Sequence, residues 1–412
     1  MVKCAERLAI DGGKRVRTRP FAPWPAYEEG EIAAAIGVLK SGKVNYHTGS
    51  EGKRFEEEFA AATDSKYAIA VANGTVALEL ALQAMEVGAG DEVIVPSRTF
   101  IASASCVVMR GATPVFADVS EESGTVTAET IERAIGKKTK AIIVVHLAGW
   151  PCEMNDILAL ASKHCLKVIE DCAQAQGARY RGRPVGSFGD AAAYSFCQDK
   201  IMSTGGEGGM LVTSDRKVWQ KAWSYKDHGR RFEPQLVQRR GQKFQWVHNS
   251  IGTNWRMTEM QSAIGRHLLA RLQEQIATRR KNAAVLTNLL KTIPEIRVAI
   301  PASHVHHSYY KYYAFIRSEL LRETWSRDDV LTAIKAEGIP CFSGSCSEVY
   351  LEKAFPRSFR PPQPLPVCRK LGETSLMFLV HPTLHAEEMT DTYIAIKKVL
   401  AKAAISVGAH AA

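Results

Sequence analysis

Between residues 66 and 213 the chain alternates short β-rich runs with helical patterns, and this alternation restricts the architecture more than any other feature. Tyr67–Val71, Glu92–Val95, Thr113–Phe116, Ala141–Val145, Leu166–Ile169, Ala191–Phe196 and Gly209–Thr213 read as seven strands. Helical patterns lie between them at Thr75–Met85, Ala128–Ile135 and Met154–His164. The strand runs are rich in Val and Ile with little polar alternation, as expected of strands buried on both faces. The spacing predicts an α/β fold whose large domain holds a seven-stranded, mostly parallel sheet covered by helices.

The flanks have a different character. Residues 10–28 carry Pro20, Pro23 and Pro25 with little periodicity, so residues 1–30 read as an extended N-terminal arm lying over a domain. Ile32, Ile36 and Leu39 follow at helical spacing; Ser50 is placed to cap a further helix on which Phe55 and Phe59 face one way. From Met257 to about Ile293 one long helical pattern carries Met260, Ile264, Leu268, Leu272 and Ile276 as a stripe, long enough to bridge two domains. Beyond it come an aromatic strand-like run at Tyr309–Ile316, a helical pattern at Asp328–Glu337 and a Pro-rich stretch at Ser358–Pro366. The expected division is a large domain at 31–270 and a smaller C-terminal α+β domain at 271–412.

Composition excludes several classes. With 412 residues and 46% apolar content the chain can bury a substantial core, which rules out a disordered tail or a small disulfide scaffold. The nine cysteines include no CxxC pair, so they read as reduced thiols of a cytoplasmic protein, not as a disulfide framework or a thiolate zinc site. No apolar segment follows Lys3, Arg7 and Lys14, and no stretch reaches the roughly 20 residues that span a bilayer, so neither a signal peptide nor a membrane association is expected. The net charge of +10 suits anionic partners such as phosphorylated metabolites or nucleic acid, and equally suits a solubilising surface. Arg239, Arg240 and Lys243 sit among polar residues and read as a solvated loop, so no nucleic-acid partner is expected.

Open parallel sheets bind ligands beyond the carboxyl ends of their strands. The first strand runs into Ala72-Asn73-Gly74-Thr75 and then a helix, a place where free amides and the helix dipole favour a phosphate, although a plain turn with an N-cap has the same sequence. Glu170-Asp171 closes another strand; period-2 alternation sends the two carboxylates to opposite faces, so at most one enters a cleft, and the sequence leaves open which. Lys200 stands just after a strand and before Gly205-Gly206-Glu207-Gly208-Gly209, a setting in which an amine can approach a flat cofactor and form a Schiff base; a solvated loop lysine is the plainer reading. Gly206-x-Gly208 precedes a strand and lacks a third small residue, and no GxxxxGK[ST] run occurs, which disfavours nicotinamide-dinucleotide and P-loop sites. His304, His306 and His307 lack complementary ligands, so no metal is expected.

Taken in order, these segments resemble the DegT-type (DegT/DnrJ/StrS) sugar aminotransferases, a branch of the fold type I pyridoxal-phosphate (PLP) enzymes. The resemblance runs from about Trp24 to His381. It rests on Leu39-Lys40-Ser41-Gly42, Phe55 to Ala60, Ala72 to Thr75, Pro96-Ser97-Arg98-Thr99-Phe100, His146-Leu147-Ala148-Gly149, Glu170 to Gln174, the lysine loop and Gly252 to Gln261. It implies that Lys200 carries PLP and shuttles the proton, and that Asp171 partners the pyridine nitrogen. It further implies that Gln174 packs near the ring and its phenolic oxygen, that Phe100 stacks on the ring face, and that Gly74, Thr75 and Ser195 bind the phosphate. Asn254 and Arg256 match a segment that in such enzymes reaches the neighbouring subunit's cofactor, which implies a homodimer with shared active sites.

The implied activity is transfer of an amino group from an amino acid, glutamate being the expected donor, to a nucleotide-linked keto-sugar in amino-sugar or polysaccharide biosynthesis. The alternatives are a keto-cyclitol or other carbocyclic acceptor and, in another class, a non-catalytic PLP-binding regulator. Cys197-Gln198 departs from the His-Pro of many relatives, which bears on substrate preference because the separation of Ser195 from Lys200 is kept. Related sugar dehydratases carry histidine at the lysine position, so Lys200 favours amino transfer over dehydration.

Overall fold

The Val- and Ile-rich runs become the strands that their burial requires. A computed structural model describes residues 7–231 and 247–405; Lys3 and the Arg239, Arg240 and Lys243 loop lie outside that range. Helices α1 (Glu29–Ser41) and α2 (Glu51–Ala62) precede strand β1 (Tyr67–Val71), which leads into α3 (Gly74–Ala84). Then follow β2 (Glu92–Pro96), α4 (Ala102–Met109), β3 (Thr113–Ala117), α5 (Ala128–Glu132), β4 (Thr139–Val145), α6 (Met154–Lys163) and β5 (Lys167–Asp171). The sheet is completed by β6 (Ala191–Ser195) and β7 (Gly209–Thr213), after which come α7 (Arg216–Lys226) and the 32-residue α8 (Glu259–Leu290).

The seven strands lie in the order β1-β7-β6-β5-β4-β2-β3. All neighbours pair in parallel except β7, which runs antiparallel between β1 and β6. Its reversal brings Gly209 opposite both Val71 and Ser195, at the edge where the parallel strands end. Strands β6 and β7 are buried at every position, and β2, β4 and β5 are buried beyond their first one or two residues, which accounts for their lack of polar alternation.

Several expectations need adjustment. Strand β5 runs to Asp171, past the expected Ile169, because its parallel pairing with β4 continues to the Val145–Asp171 register. Helix α5 stops at Glu132, short of Ile135, since Gly136 follows and its amide is taken by the Thr139 hydroxyl at 2.8 Å. Ile32, Ile36 and Leu39 share a face of α1, but that face is exposed, and the helix buries Glu31 and Val38 instead. Phe55 and Phe59 are buried and pack edge to face at 5.7 Å.

Ser50 occupies the N-cap position of α2 without a side-chain cap bond. The capping group comes from α8: the buried Glu259 carboxylate accepts the Glu51 amide at 2.5 Å and the Gly52 amide at 2.9 Å. Leu268, Leu272 and Ile276 of α8 pack in the core beneath the sheet, whereas Ala283, Leu286 and Leu290 enter a second core. That second core contains a four-stranded antiparallel sheet of Ile296–Arg297, Tyr312–Ile316, Ser375–Phe378 and Cys341–Phe342, with helices α9 (Arg327–Ala336) and α10 (Ala386–Ala403). The expected boundary at residue 270 thus falls inside one continuous helix. Among the described residues no helix is long and apolar enough to cross a membrane, and the described cysteines are free thiols.

Glu259→Ala removes a cap that α2 cannot replace locally. It is expected to cost about 1–2 kcal/mol, read as a lowered thermal midpoint, whereas Ser50→Ala should stay within about 0.5 kcal/mol of wild type. Equal losses in the two variants would contradict capping from α8.

Candidate active site

The ends of β1, β5 and β6 converge with the start of β7. The β1–α3 turn is packed so closely that a Cβ on Gly74 would lie 2.7 Å from Ser195 Cβ, and one on Gly209 would lie 2.4 Å from the Asn73 carbonyl. Both glycines are therefore required by close approach. Asn73 caps α3 by accepting the Val76 amide at 3.0 Å. The Gly74 and Thr75 amides then have no protein acceptor among the described residues, and the helix dipole adds to their pull on an anion. Ser195 Oγ faces the same turn and accepts only the Cys197 amide, at 3.4 Å, so its hydrogen is free to donate.

Alternation along β5 resolves the carboxylate pair. Glu170 points to one face, where it accepts the Gly186, Phe188 and Gly189 amides at 2.7, 2.8 and 2.7 Å and meets His146 Nε2 at 2.9 Å. His146 Nδ1 accepts the Cys152 amide at 3.0 Å, so the ring is the neutral tautomer that donates to Glu170. His146, Glu170 and Cys172 lie close enough to suggest a metal cluster, but both imidazole nitrogens and both carboxylate oxygens already have protein partners. This cluster anchors the 186–189 loop. The three histidines near residue 305 diverge: His304 bonds Glu153 at 2.9 Å, and buried His307 stacks on Tyr309 with ring centroids 3.9 Å apart.

Asp171 points to the other face and is 5% exposed. Ser103 Oγ donates to Oδ2 at 2.7 Å, and the Ala173 amide donates to Oδ1 at 3.1 Å. Because the Ser103 hydrogen is spent on Asp171, the Thr99 hydroxyl, 2.8 Å away, must donate to Ser103. Burial raises the Asp171 pKa; the Ser103 and Ala173 hydrogen bonds and the charge of Lys200 oppose that rise without cancelling it. The result is a dry carboxylate that lacks a full counter-charge.

Lys200 lies in the loop from Phe196 to Gly208 that joins β6 to β7. Its Nζ sits 4.8 Å from the centroid of the Tyr310 ring. The Tyr310 hydroxyl donates to Asp199, and Lys311 Nζ is 3.5 Å from the same carboxylate. Burial acts to raise the Asp199 pKa, but Lys200, Tyr310 and Lys311 outweigh it and hold the group below the usual carboxylate value. Gln174 is buried and its Oε1 accepts the Ala148 amide at 2.8 Å, which leaves its NH₂ as the free end.

The remaining expected residues make no side-chain hydrogen bond or ion pair with this cluster among the described residues. Phe100 is 64% exposed at the start of α4, with no ring partner among the described residues. Asn254 is exposed, while Arg256 pairs with Asp227 of its own chain, which also meets His47 Nε2 at 3.0 Å. Their segment is tied to the end of β1 through the Ala72 amide and the Trp255 carbonyl at 2.9 Å. Ser103, Thr99, Asp199 and Tyr310 were missed in the sequence because they join the site only through strand order and through the small domain. The spacing of Ser103, one helical turn beyond Thr99, was the available signal.

Comparison with known proteins fits this geometry. Residues 25–397 match the DegT/DnrJ/EryC1/StrS aminotransferase family. The chain belongs to that family. It is 36% identical over 371 residues to the UDP-N-acetyl-3-dehydro-alpha-D-glucosamine 3-aminotransferase of Acidithiobacillus ferrooxidans, covering 90% of this chain and 94% of that one. It is 34% identical over 415 residues to the L-glutamine:2-deoxy-scyllo-inosose aminotransferase of Streptomyces fradiae, covering 95% and 97%. The solved aminotransferase of Psychrobacter cryohalolentis superimposes with a TM-score of 0.90 at 52% identity, over 93% of this chain and 100% of that one. The DegT-family chain is an aminotransferase of the PLP-dependent fold type I class, and its cofactor is pyridoxal 5′-phosphate.

The residues fit that group. PLP carries an aldehyde, a basic ring nitrogen and a phosphate; the site carries an amine, a buried under-compensated carboxylate, and a helix N-terminus with two free amides beside a serine hydroxyl.

The raised pKa of Asp171 means that its contribution to stability is greatest below the ordinary carboxylate value of about 3.9 and is lost as pH rises through the raised value. Without PLP, Asp171→Asn should be at least as stable as wild type at neutral pH, with an advantage that grows as pH rises through the raised Asp171 value and levels off above it. Saturating PLP should reverse the order. Thermal unfolding across pH, with and without PLP, checks this; an Asn variant that is less stable than wild type without cofactor at pH 7 would contradict it.

Proposed function

We propose that the protein transfers an amino group from an amino acid, with glutamate as donor, to a nucleotide-linked keto-sugar, using Lys200 and Asp171 as its central pair. When bound, PLP supplies an aldehyde that condenses with amines and a ring that takes up the electron pair released at the substrate carbon. Lys200 Nζ would hold the cofactor at rest and, as a free amine, would accept the proton from the donor's α-carbon and return it during the exchange. Asp171, kept dry and oriented by Ser103 and Ala173, holds positive charge on the ring nitrogen. The Gly74 and Thr75 amides and Ser195 Oγ bind the phosphate, Gln174 donates toward the ring's phenolic oxygen, and Phe100 covers a ring face. One site serves both substrates in turn, the arrangement of ping-pong exchange.

The observation that carries the acceptor assignment is the near full-length relationship to an aminotransferase named for a UDP-linked keto-sugar. A groove of about 650 Å³ supports it: Trp24, Asp199, Lys311, Lys335 and His381 are among its lining residues, and its two ammonium groups suit a diphosphate. The somewhat longer relationship, at 34% identity, to a scyllo-inosose aminotransferase favours a keto-cyclitol as the second reading.

We also place the working form as a homodimer. Ile32, Ile36 and Leu39 on α1, together with Met109, leave large apolar side chains exposed, and a second copy would cover them and bring Asn254 and Arg256 to the partner's site. Sedimentation that returns only the monomer at working concentration would contradict this.

Lys200→Ala should abolish multiple-turnover transamination, and full activity in that variant would overturn its role. A mass-spectrometric screen of nucleotide-linked 3-keto and 4-keto sugars beside keto-cyclitols, with glutamate, identifies the acceptor. Lys335→Ala should raise KM for the nucleotide-linked acceptor by about tenfold without slowing the glutamate half-reaction. Amination of keto-cyclitols alone would replace the first reading with the second.

A further inference from the structure

The Pro-rich arm lines the acceptor groove through Trp24, and its side chains also reach the lysine loop. Its first half is bound to the small domain. Leu8 is buried in that domain's core, and Glu337 accepts the Ala9 and Val16 amides at 2.8 and 3.2 Å. Buried Arg17 donates to Glu388 and Asp391, both at 2.7 Å. Farther along, the Thr383 hydroxyl donates to the Pro23 carbonyl at 3.0 Å.

The second half of the arm holds the loop. Trp24 Nε1 donates to the Lys200 carbonyl at 2.8 Å. Three residues on, the Tyr27 hydroxyl lies 3.2 Å from the Ser203 carbonyl and accepts the Gly205 amide at 3.1 Å. The indole cannot swing freely: the Arg279 guanidinium lies 4.9 Å from its ring centroid, and His381 stacks on it with centroids 5.9 Å apart at 23°. The other polar backbone group of Lys200, its amide, is bonded to the Cys197 carbonyl at 3.0 Å within the same loop. Trp24 therefore makes the bond that ties the backbone of Lys200 to a fixed point outside the loop.

We propose that Trp24 is a positioning residue for Lys200: its indole N–H fixes the carbonyl of the lysine, and the arm carries that restraint from the small domain to the amine. The inference rests on Lys200 being the residue that carries PLP. An amine that must leave and re-form a bond at one atom depends on where its own Cα is held, and displacements near 1 Å are costly in such sites.

The test uses full-length protein with Trp24→Phe, which keeps a ring between Arg279 and His381 but removes the N–H. A second variant carries 3-benzothienylalanine at position 24, of the same shape as Trp with sulfur in place of the N–H, and serves if the Phe variant folds poorly. Both should bind added PLP covalently about five- to tenfold more slowly than wild type, the effect of losing one net hydrogen bond. The pH midpoint of the visible absorbance band should also move, while the thermal midpoint of the cofactor-free protein stays within about 2 °C. Wild-type PLP binding rate and pH midpoint in the benzothienyl variant would overturn the proposal while leaving the role of Lys200 intact. A borohydride-fixed pyridoxyl adduct that persists on Lys200→Ala protein would instead show that the underlying reading has failed, and the proposal with it.

Discussion

The carboxylate of Asp171 is held where water cannot solvate it. Two hydrogen bonds, from Ser103 and from the Ala173 amide, orient it, but neither supplies a full positive charge, and burial keeps its pKa raised. A protein gains nothing in stability from such a group at neutral pH. Its retention makes physical sense if a cation belongs opposite it, and the protonated ring nitrogen of PLP is a cation of the right kind. The neighbouring features follow the same logic: two free amides at a helix start, a serine hydroxyl with its proton free, and an amine on a loop that crosses the ends of the strands.

The sheet creates this meeting place through one reversal. If β7 ran parallel to its neighbours, its start would lie at the opposite edge. Running antiparallel between β1 and β6, it delivers Gly209 against the Asn73–Gly74 turn and returns the lysine loop across the strand ends. The close packing there admits only glycine at 74 and 209, so the β1–α3 turn and the lysine loop are built as one unit. The small domain completes the surroundings of Lys200 with Tyr310 and Lys311, and the continuous α8 joins the two cores.

Much of this was legible in the sequence because it depends on local periodicity. The seven strands, the turn after β1 and the position of Lys200 can be read from runs of Val and Ile and from adjacent glycines. Which of Glu170 and Asp171 enters the cleft was not legible, since alternation shows only that they part; the face depends on the pairing of β5 with β4 and β6. The cap of α2 was misread for a similar reason. Ser50 has the right identity and place, but Glu259, more than 200 residues away, reaches the free amides first. The stripe of Ile32, Ile36 and Leu39 has core-like spacing, yet it faces outward in the single chain, because periodicity reports a shared face and not what covers it. Ser103 and Trp24 reach Asp171 and Lys200 through hydrogen bonds that exist only after the strands are ordered and the arm is laid down.

The central claim is that one amine, on Lys200, carries the cofactor opposite the Asp171 carboxylate. Borohydride reduction of the PLP-loaded protein followed by peptide mapping tests it most directly. The account predicts a single pyridoxyl-modified peptide with the adduct on Lys200; an adduct on any other lysine, or none on fully loaded protein, would contradict it.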